Sequence, residues 1–472
     1  MSPPSISQTL PKPGSNLGLK LILICGLILL MAIPAMFISY ISYERAGRAD
    51  DVTREVSERY GGAQSIMGPL LVAPYHVKNK DGETVEAGDY VTFAETGHAE
   101  FSDVKTTIRK RSLFKVPTYQ GQGVISASFA PIPTLSNAQA KAGPGMFINW
   151  DAAQLVISVT DVRGLKSDIT IKDDRGVERR FEPATAAFVK VVTTAESIGR
   201  NHASTPQRRF TDILPGRLMS VDARGFISAD KNSAVTIGLN LGGAQSLSVM
   251  PFARTTTARI KSDWADPGFS GAFPPVERDV TEDGFDARWS VPRLARNMPA
   301  SGLAHQLPLH EMSNAAMRVS FIETHSAYKT VNRALKYAVL FIGLVFLAYF
   351  LFEVIVGVSV HPAQYILIGL AQSIFYLLLL AFSEHIGFNA AFVIAAGATI
   401  AATAGYAGAV FGSRDFIVKT GVVFTLVYGL LFTLMRMQDF ALMLGALTSF
   451  IAIAGTMYLT RSVNWYGRKE AR

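Results

Sequence analysis

Two charged residues interrupt long apolar stretches in the last third of the chain. Glu353 lies near the end of the stretch 336–358, and Lys419 lies near the start of the stretch 416–435. Charged side chains inside membrane-spanning helices are costly, so they face other protein groups and pair with one another. Because the two residues share a predicted depth, the sequence predicts an intramembrane pair of Glu353 and Lys419. The alternative is that the long side chain of Lys419 extends to the membrane surface.

A second candidate site consists of Lys336, Glu384 and His385. Glu384 and His385 lie in the short connection between two apolar stretches, and Lys336 begins another stretch at a similar depth. An imidazole titrates near neutral pH, so a network of these side chains would respond to pH. The alternative is a polar turn in water without such a network.

Residue patterns for enzymatic chemistry are incomplete in this chain. The segment Gly268–Ala272 resembles the G-x-S-x-G nucleophile turn of hydrolases but lacks the final glycine, and it lies in a proline-rich loop. His310-Glu311 has no second histidine one helical turn later, as the zinc-hydrolase pattern requires. The chain has one cysteine, Cys25, and eight scattered histidines. We therefore expect no catalytic residue, no metal site and no cofactor.

The composition indicates a membrane protein with a soluble middle part. The 472-residue chain is 49% hydrophobic and only 17% charged, whereas about 25% of residues are charged in a typical soluble domain. A net charge of +8 raises nucleic acid as a partner, but the predicted cytoplasmic segments are too short to form a basic domain. We expect membrane lipid with anionic head groups to balance this charge, and we expect no binding of nucleic acid.

Long apolar stretches predict the membrane-spanning segments. A helix that crosses the hydrocarbon core needs about 20 mostly apolar residues. The stretch nearest the N-terminus has no cleavage site of small residues at its end, so we interpret it as a retained anchor. Six stretches qualify, at 19–41, 336–358, 363–383, 386–410, 416–435 and 438–459.

The spans divide the chain into predicted domains and give it a predicted orientation. The domains are a disordered cytoplasmic tail at 1–18, the first transmembrane helix at 19–41, a periplasmic β-rich domain at 42–335, a five-helix bundle at 336–459 and a basic cytoplasmic tail at 460–472. Basic residues favour the cytoplasmic side of short flanks. With both termini inside, the outer short loops contain only Arg436, whereas seven basic residues flank the inner ends: Lys12, Lys20, Arg414, Arg461, Arg468, Lys469 and Arg472.

The fourth span carries a stripe of small residues. Gly397, Ala401, Gly405 and Ala409 recur at every fourth position, so they share one face of the helix. Small residues allow neighbouring helix backbones to approach closely. The stripe predicts that this span is the central and most enclosed helix; the alternative is the lining of a pore.

The region before the bundle has the pattern of a mainly-β domain. Residues 42–60 predict a helix that continues from the first span, and residues from about 323 predict a helix that leads into the second. In Val235–Leu241 apolar and polar residues alternate, and Gly242-Gly243 follows before Leu247–Val249 alternates again, which predicts a β-hairpin. Many short strands with glycine turns predict an antiparallel sandwich or a barrel-like sheet. The predicted fold class is therefore a six-helix membrane bundle with a large extracytoplasmic mainly-β domain.

Several sequence stretches together resemble the CreD (Cet) family of inner-membrane proteins of Gram-negative bacteria. They include GPLLVAPY at 68–75, RSLFKVPTY at 111–119, DPGFSGAFPP at 266–275 and HPAQYILIGLA at 361–371. The resemblance implies an envelope-integrity and stress-response protein, associated with two-component regulation, colicin tolerance and the β-lactam response. It implies no catalytic residue.

We therefore expect a non-enzymatic protein whose outer domain meets envelope components or other inner-membrane proteins. One alternative is a small-molecule transporter or channel that uses the helix bundle. Another is a periplasmic sensor that acts through a membrane partner, since the predicted cytoplasmic tails are too short for an enzymatic output.

Overall fold

The computed structural model describes residues 17–78, 84–132, 146–184, 216–321, 327–356, 360–436 and 440–461. The predicted tails therefore lie almost wholly outside the described residues. Within them the helices are α1 (Leu17–Arg59), α2 (Ala327–Lys336), α3 (Ala338–Val356), α4 (Pro362–Ile386), α5 (Phe388–Phe411), α6 (Arg414–Arg436) and α7 (Ala441–Thr460).

The six predicted spans are confirmed as helices long and apolar enough to cross a membrane, namely α1 and α3 to α7. The short α2 precedes α3 and carries basic residues in its last turn. The chain separates into two compact units. The helical unit comprises Met1–Ala49 with His325–Arg472, and the β unit comprises Asp50–Thr324.

Helix α1 continues without interruption past residue 41, the predicted end of the first span. Its 43 residues correspond to a length of about 65 Å, roughly twice the thickness of the hydrocarbon core. The predicted helical extension over 42–60 is thus confirmed. The helix ends at Arg59, and Gly61 and Gly62 follow with positive φ angles of 94° and 59°, which are typical of the residues after a helix C-terminus.

The β unit is built from seventeen strands among the described residues, and most of their pairings are antiparallel. The strands are β1 (Gln64–Lys78), β2 (Thr84–Arg111), β3 (Phe114–Phe129), β4 (Met146–Ile148), β5 (Gln154–Val159), β6 (Thr170–Asp173), β7 (Glu178–Arg180), β8 (Glu182–Pro183), β9 (Arg217–Asp222), β10 (Ser233–Ala244), β11 (Ser246–Val249), β12 (Ala253–Ser262), β13 (Gly268–Ser270), β14 (Glu277–Thr281), β15 (Gly284–Val291), β16 (Ser301–Leu303) and β17 (Met317–Ser320).

Strand β2 belongs to two ladders. Its first part, up to Phe93, pairs with β1, and its second part, from Thr96 onwards, pairs with β3. Strand β1 also pairs with β5 and β11, whereas β3 pairs with β10. Alternate side chains of β10 point inwards, as the sequence pattern predicts, and Ile237 is fully buried. The inward side chains of both ladders form one hydrophobic core that includes Phe93 and Ile125.

The predicted hairpin at 235–249 is wrong. Strand β10 pairs with β3 and β6, whereas β11 pairs with β1 and β17, so the two strands belong to different ladders. Gly242 and Gly243 do not form the turn; they lie inside β10, and Gly243 pairs with Tyr119. A Cβ atom at Gly243 would lie 2.4 Å from the Tyr119 hydroxyl, so glycine is required by close packing there. The chain changes ladder at Gln245, which has a φ angle of 68°.

The predicted fourth span is α5, and its stripe of small residues is not packed against the rest of the helical unit, contrary to the prediction. Gly397, Ala401, Gly405 and Ala409 are all exposed within the helical unit, and α4 is the helix with the larger buried share. A second stripe with the same spacing faces the core instead: Ala391, Ala395, Thr399, Thr403 and Ala407. Phe392 adjoins this face and packs against Phe375 of α4, so contacts with a neighbouring helix favour burial of this face.

Candidate functional site

A buried ion pair links the start of α1 to α3. Glu353 is the charged residue of α3, and only 5% of its surface is exposed. Its Oε1 atom accepts hydrogen bonds from Lys20 Nζ and from the backbone N–H of Val360, the latter at 3.2 Å. Its Oε2 atom accepts a hydrogen bond from the Tyr365 hydroxyl at 2.8 Å. The carboxylate is thus held by groups from α1, from α4 and from Val360 in the turn before α4.

The turn before α4 is fixed by local hydrogen bonds and by Lys20. The Lys20 ammonium group also donates to the carbonyl oxygen of Val360 at 2.6 Å. His361 is the N-cap of α4, where its Nδ1 atom accepts from the backbone N–H of Ala363 at 3.2 Å. The Gln364 side chain accepts in turn from the backbone N–H of His361 at 3.1 Å, which completes a capping box. These contacts place Val360 and Tyr365 on either side of the Glu353 carboxylate.

The structure does not bring Lys419 to Glu353. Lys419 is exposed on α6, and its ammonium group lies 5.1 Å from the centroid of the Phe416 ring. This placement agrees with the alternative that its side chain extends to the membrane surface. The sequence pattern identifies Lys20 only as a flanking charge that sets orientation. Its position in the first turn of α1, at the same membrane side as the end of α3, was the signal that could have identified it.

The geometry of this site indicates that it holds helices together and does not indicate a catalytic role. Three donors surround one carboxylate, and one positive charge balances one negative charge. A buried ion pair of this kind adds specificity more than net stability, but the loss of one partner leaves an unpaired buried charge. The Lys20–Glu353 pair therefore connects α1 specifically to α3 and α4.

The second predicted site contains Glu384 with different partners. Glu384 accepts a hydrogen bond from the Tyr328 hydroxyl at 3.0 Å, and the Arg45 guanidinium lies 3.9 Å away. Burial, together with the hydrogen bond to Glu384, raises the pKa of Tyr328, so this hydroxyl stays a donor at neutral pH. Lys336 and His385 are both exposed. The structure therefore joins Glu384 to α1 and α2 and does not assemble the three predicted residues.

A polar pair inside the bundle connects α4 to α6. The Tyr428 hydroxyl donates to the Gln372 Oε1 atom at 2.7 Å, and both side chains are buried. The aromatic ring of Tyr428 also packs edge-on against Phe341 of α3, with 4.7 Å between the ring centroids. Neutral hydrogen bonds of this type hold helices together in a membrane.

Gln245 joins the two ends of the β unit. Its Nε2 atom donates to the Ser57 hydroxyl of α1 at 3.1 Å, and its carbonyl accepts from the backbone N–H of Phe321 at 2.8 Å. Phe321 directly follows β17, the last strand of the unit. Gln245 therefore contacts both the segment through which the chain enters the β unit and the segment that follows its last strand. The sequence patterns do not indicate this role for Gln245.

A buried arginine organises the turn after β15. Arg296 is 7% exposed and donates to the carbonyl oxygens of Ala253 at 2.9 Å and of Pro299 at 2.7 Å. Its guanidinium lies 4.0 Å from the centroid of the Phe93 ring. Burial, with a smaller contribution from the charge of Arg254, lowers the pKa of Arg296 to about 10, so it remains charged at neutral pH.

The segment that resembles a hydrolase turn has a structural explanation. Ser270 ends β13, which pairs with β17, and Gly271 follows with a φ angle of 105°. A Cβ atom at Gly271 would lie 1.9 Å from the carbonyl oxygen of Ala316. Glycine is therefore required by the close approach of two backbones.

We expect Gly271→Ala to destabilise the β unit by more than about 1 kcal/mol, because the added methyl group clashes and the φ angle is unfavourable. Gly176→Ala is the matched control, since Gly176 also has a positive φ angle of 84° but open space around its Cβ position. Chemical denaturation of the purified protein, monitored by tryptophan fluorescence, measures the difference. Equal effects of the two substitutions would contradict the steric explanation.

Comparison with known proteins agrees with the membrane architecture. A family model described as "Inner membrane protein CreD" matches residues 16–466. The chain is also 30% identical over 462 residues to Inner membrane protein CreD of Escherichia coli (strain K12), an alignment that covers 96% of this chain and 94% of that protein. The chain therefore belongs to the CreD family of inner membrane proteins.

Proposed function

We propose that this protein is a non-enzymatic inner-membrane factor that supports cell envelope integrity and the response to envelope stress. The β unit lies in the periplasm in this proposal, and both termini lie in the cytoplasm. The family resemblance supports the function, since it implies colicin tolerance and a β-lactam response. The distribution of basic flanking residues supports the orientation, with seven on the inner side and one on the outer side.

The observation that carries the proposal is the continuity of α1. Near its start, Lys20 is bound to Glu353 in the helical unit, and near its end, Ser57 is bound to Gln245 in the β unit. Arg45, between them, lies beside Glu384. The helix continues through Pro34 as one element, so a change in the contacts at one end can alter the contacts at the other.

The buried face of α1 supports this view of the helix as a coupling element. Its buried residues in the helical unit are separated by seven, four, three and four positions, which places them along one face. They are Ile24, Met31, Ala35, Ile38 and Ser42. We propose that the periplasmic β unit contacts envelope components and that α1 relays the contact to the bundle, where other inner-membrane proteins respond.

A flexible insertion in α1 tests the proposal. A short Gly-Ser segment inserted after the exposed Gly47 interrupts the helix while leaving the contacts of Lys20 and Ser57 intact. In a host strain that lacks the natural gene, we expect this variant to reach normal membrane levels but to fail to restore tolerance of a β-lactam. The same insertion at the exposed turn residue Gly176 is the control, and we expect it to restore tolerance.

Two outcomes would contradict separate parts of the proposal, namely the coupling through α1 and the envelope function. Full restoration by the Gly47 insertion would exclude coupling through α1. A strain that lacks the gene yet shows normal tolerance of β-lactams and colicins would contradict the envelope function itself.

A further inference from the structure

Two lysines face each other near the tip of the hairpin that β2 and β3 form. Lys110 and Lys115 are direct partners across the two strands, and Ser112 and Leu113 form the turn that joins the strands. Both lysines are exposed, and neither ammonium group forms an ion pair or a hydrogen bond with any residue that the structure describes. Like charges directly opposite each other in an antiparallel pair are destabilising. An anion bound between the two ammonium groups removes this repulsion, so the lysine pair suits an anionic ligand.

Contacts with the end of α1 fix the direction of the hairpin. The Arg109 guanidinium lies 5.0 Å from the centroid of the ring of Tyr60, which directly follows the helix. Arg111, two positions nearer the tip, forms an ion pair with Glu55, which lies more than one turn nearer the start of the helix. The hairpin therefore follows α1 towards its N-terminal end. Because strand side chains alternate, these arginines lie on one face, and Lys110 lies on the other.

Helix α1 also tethers the hairpin to the membrane. The predicted apolar span ends at residue 41, about 14 residues before Glu55, which corresponds to about 20 Å of helix. A tether of this length gives the hairpin a high effective concentration at the bilayer surface, so weak contacts with lipid are sufficient for binding there.

The hairpin combines positive charge with an apolar end. Leu113 is 43% exposed in the turn. Residues 108–115 include four basic residues and no acidic one, whereas residues 50–60 include four acidic and two basic residues. The two segments together thus keep a net charge of +2. Basic side chains beside an exposed apolar residue are suited to an anionic bilayer, where the cations meet phosphates and the apolar group enters the interface.

We propose that the β2–β3 hairpin binds the phosphate groups of anionic phospholipids at the bilayer surface. The phosphate oxygens accept hydrogen bonds from the ammonium groups of Lys110 and Lys115, and Leu113 enters the head-group region. A soluble anion would neutralise the lysines but would gain nothing from the exposed Leu113.

This inference does not depend on the proposed envelope function, because it uses contacts within the β unit and the length of α1. Under the orientation proposed above, the lipids belong to the periplasmic leaflet.

A fluorophore on the hairpin of the full chain tests the contact. Cys25→Ser removes the one cysteine of the chain, and Leu113→Cys then carries an apolar bimane label. In phosphatidylcholine nanodiscs that contain a lipid with a nitroxide on its head group, quenching of the label is expected to increase when phosphatidylglycerol replaces part of the phosphatidylcholine. The same label at Glu282→Cys, in the acidic turn between β14 and β15, is the control and is expected to show no increase.

Charge variants test the role of the two lysines. Lys110→Gln with Lys115→Gln is expected to lower the ratio of bilayer-bound to free label in phosphatidylglycerol by about 30-fold, which is about fivefold for each lysine. Lys172→Gln with Lys231→Gln removes the same charge from two exposed lysines of the β unit that already have acidic partners. This control is expected to keep the ratio unchanged.

Lys110→Glu separates a loss of binding from a loss of folding. The carboxylate places opposite charges across the two strands, which stabilises the hairpin while it removes the anion site. We expect this variant to keep the tryptophan fluorescence of the folded chain and to lose the quenching that depends on phosphatidylglycerol.

Four results would overturn the proposal. Quenching at residue 113 that does not increase with phosphatidylglycerol, or that increases equally in the double Gln variant, would exclude the lysine pair as a lipid site. An equal increase at residue 282 would assign the contact to the β unit as a whole. Quenching that inorganic phosphate abolishes at constant ionic strength would identify a soluble phosphate as the preferred ligand.

Discussion

Lys20→Met is expected to lower the stability of the helical unit by about 3–5 kcal/mol, because it leaves the buried Glu353 carboxylate without its opposite charge. The hydrogen bonds from Tyr365 and Val360 remain, but they do not neutralise the carboxylate. Unfolding of the purified protein in mixed micelles with increasing denaturing detergent measures the change. Glu353→Gln in the Lys20→Met background is expected to recover part of the loss, since an uncharged amide replaces the unpaired charge.

Lys419→Met is the matched control for this experiment. Lys419 is exposed, and its described contact is with the Phe416 ring, so we expect a change of no more than about 0.5 kcal/mol. The two lysines thus discriminate between the pair seen in the structure and the pair predicted from the sequence. A large effect of Lys419→Met with no effect of Lys20→Met would refute the Lys20–Glu353 pair.

Arg296→Ala is expected to destabilise the β unit by about 3–5 kcal/mol, because it removes the donors of buried carbonyl groups and opens a cavity beside Phe93. The carbonyl oxygens of Ala253 and Pro299 would lose partners at 2.9 and 2.7 Å. Arg296→Lys is expected to recover only part of this loss, since an ammonium group cannot reproduce the planar arrangement of donors. Denaturation of the full chain, followed by tryptophan fluorescence, reports on this unit, since three of the four tryptophans (Trp150, Trp264 and the buried Trp289) belong to it.

Arg293→Ala provides the control for the effect of charge. Arg293 lies three positions earlier in the same turn and is exposed, so its removal is expected to change stability by less than about 0.5 kcal/mol. If Arg293→Ala and Arg296→Ala had similar effects, the net charge of the turn would be responsible, and the buried hydrogen bonds would not explain the result.

Two local sequence patterns are compatible with more than one arrangement of the chain, and the structure adopts the one that was not predicted. A paired glycine after an alternating run is typical of a hairpin, yet Gly242-Gly243 lies inside a strand because Tyr119 occupies the space above it. Small residues recur on two faces of α5, and spacing alone does not decide which face packs inwards. In both cases the neighbouring element, not the segment itself, selected the arrangement.

The sequence by itself determined the number of apolar helices, the helical extension of the first span and the strand-rich middle unit. These properties follow from the length of apolar runs and from the local period of side chains, which are features of neighbouring residues. Tertiary structure decided that Glu353 pairs with Lys20, 333 residues away, and not with Lys419. It also decided that Gln245 joins both ends of the β unit. Such pairings depend on where distant elements meet, and a charge in a sequence is compatible with any opposite charge at the same depth.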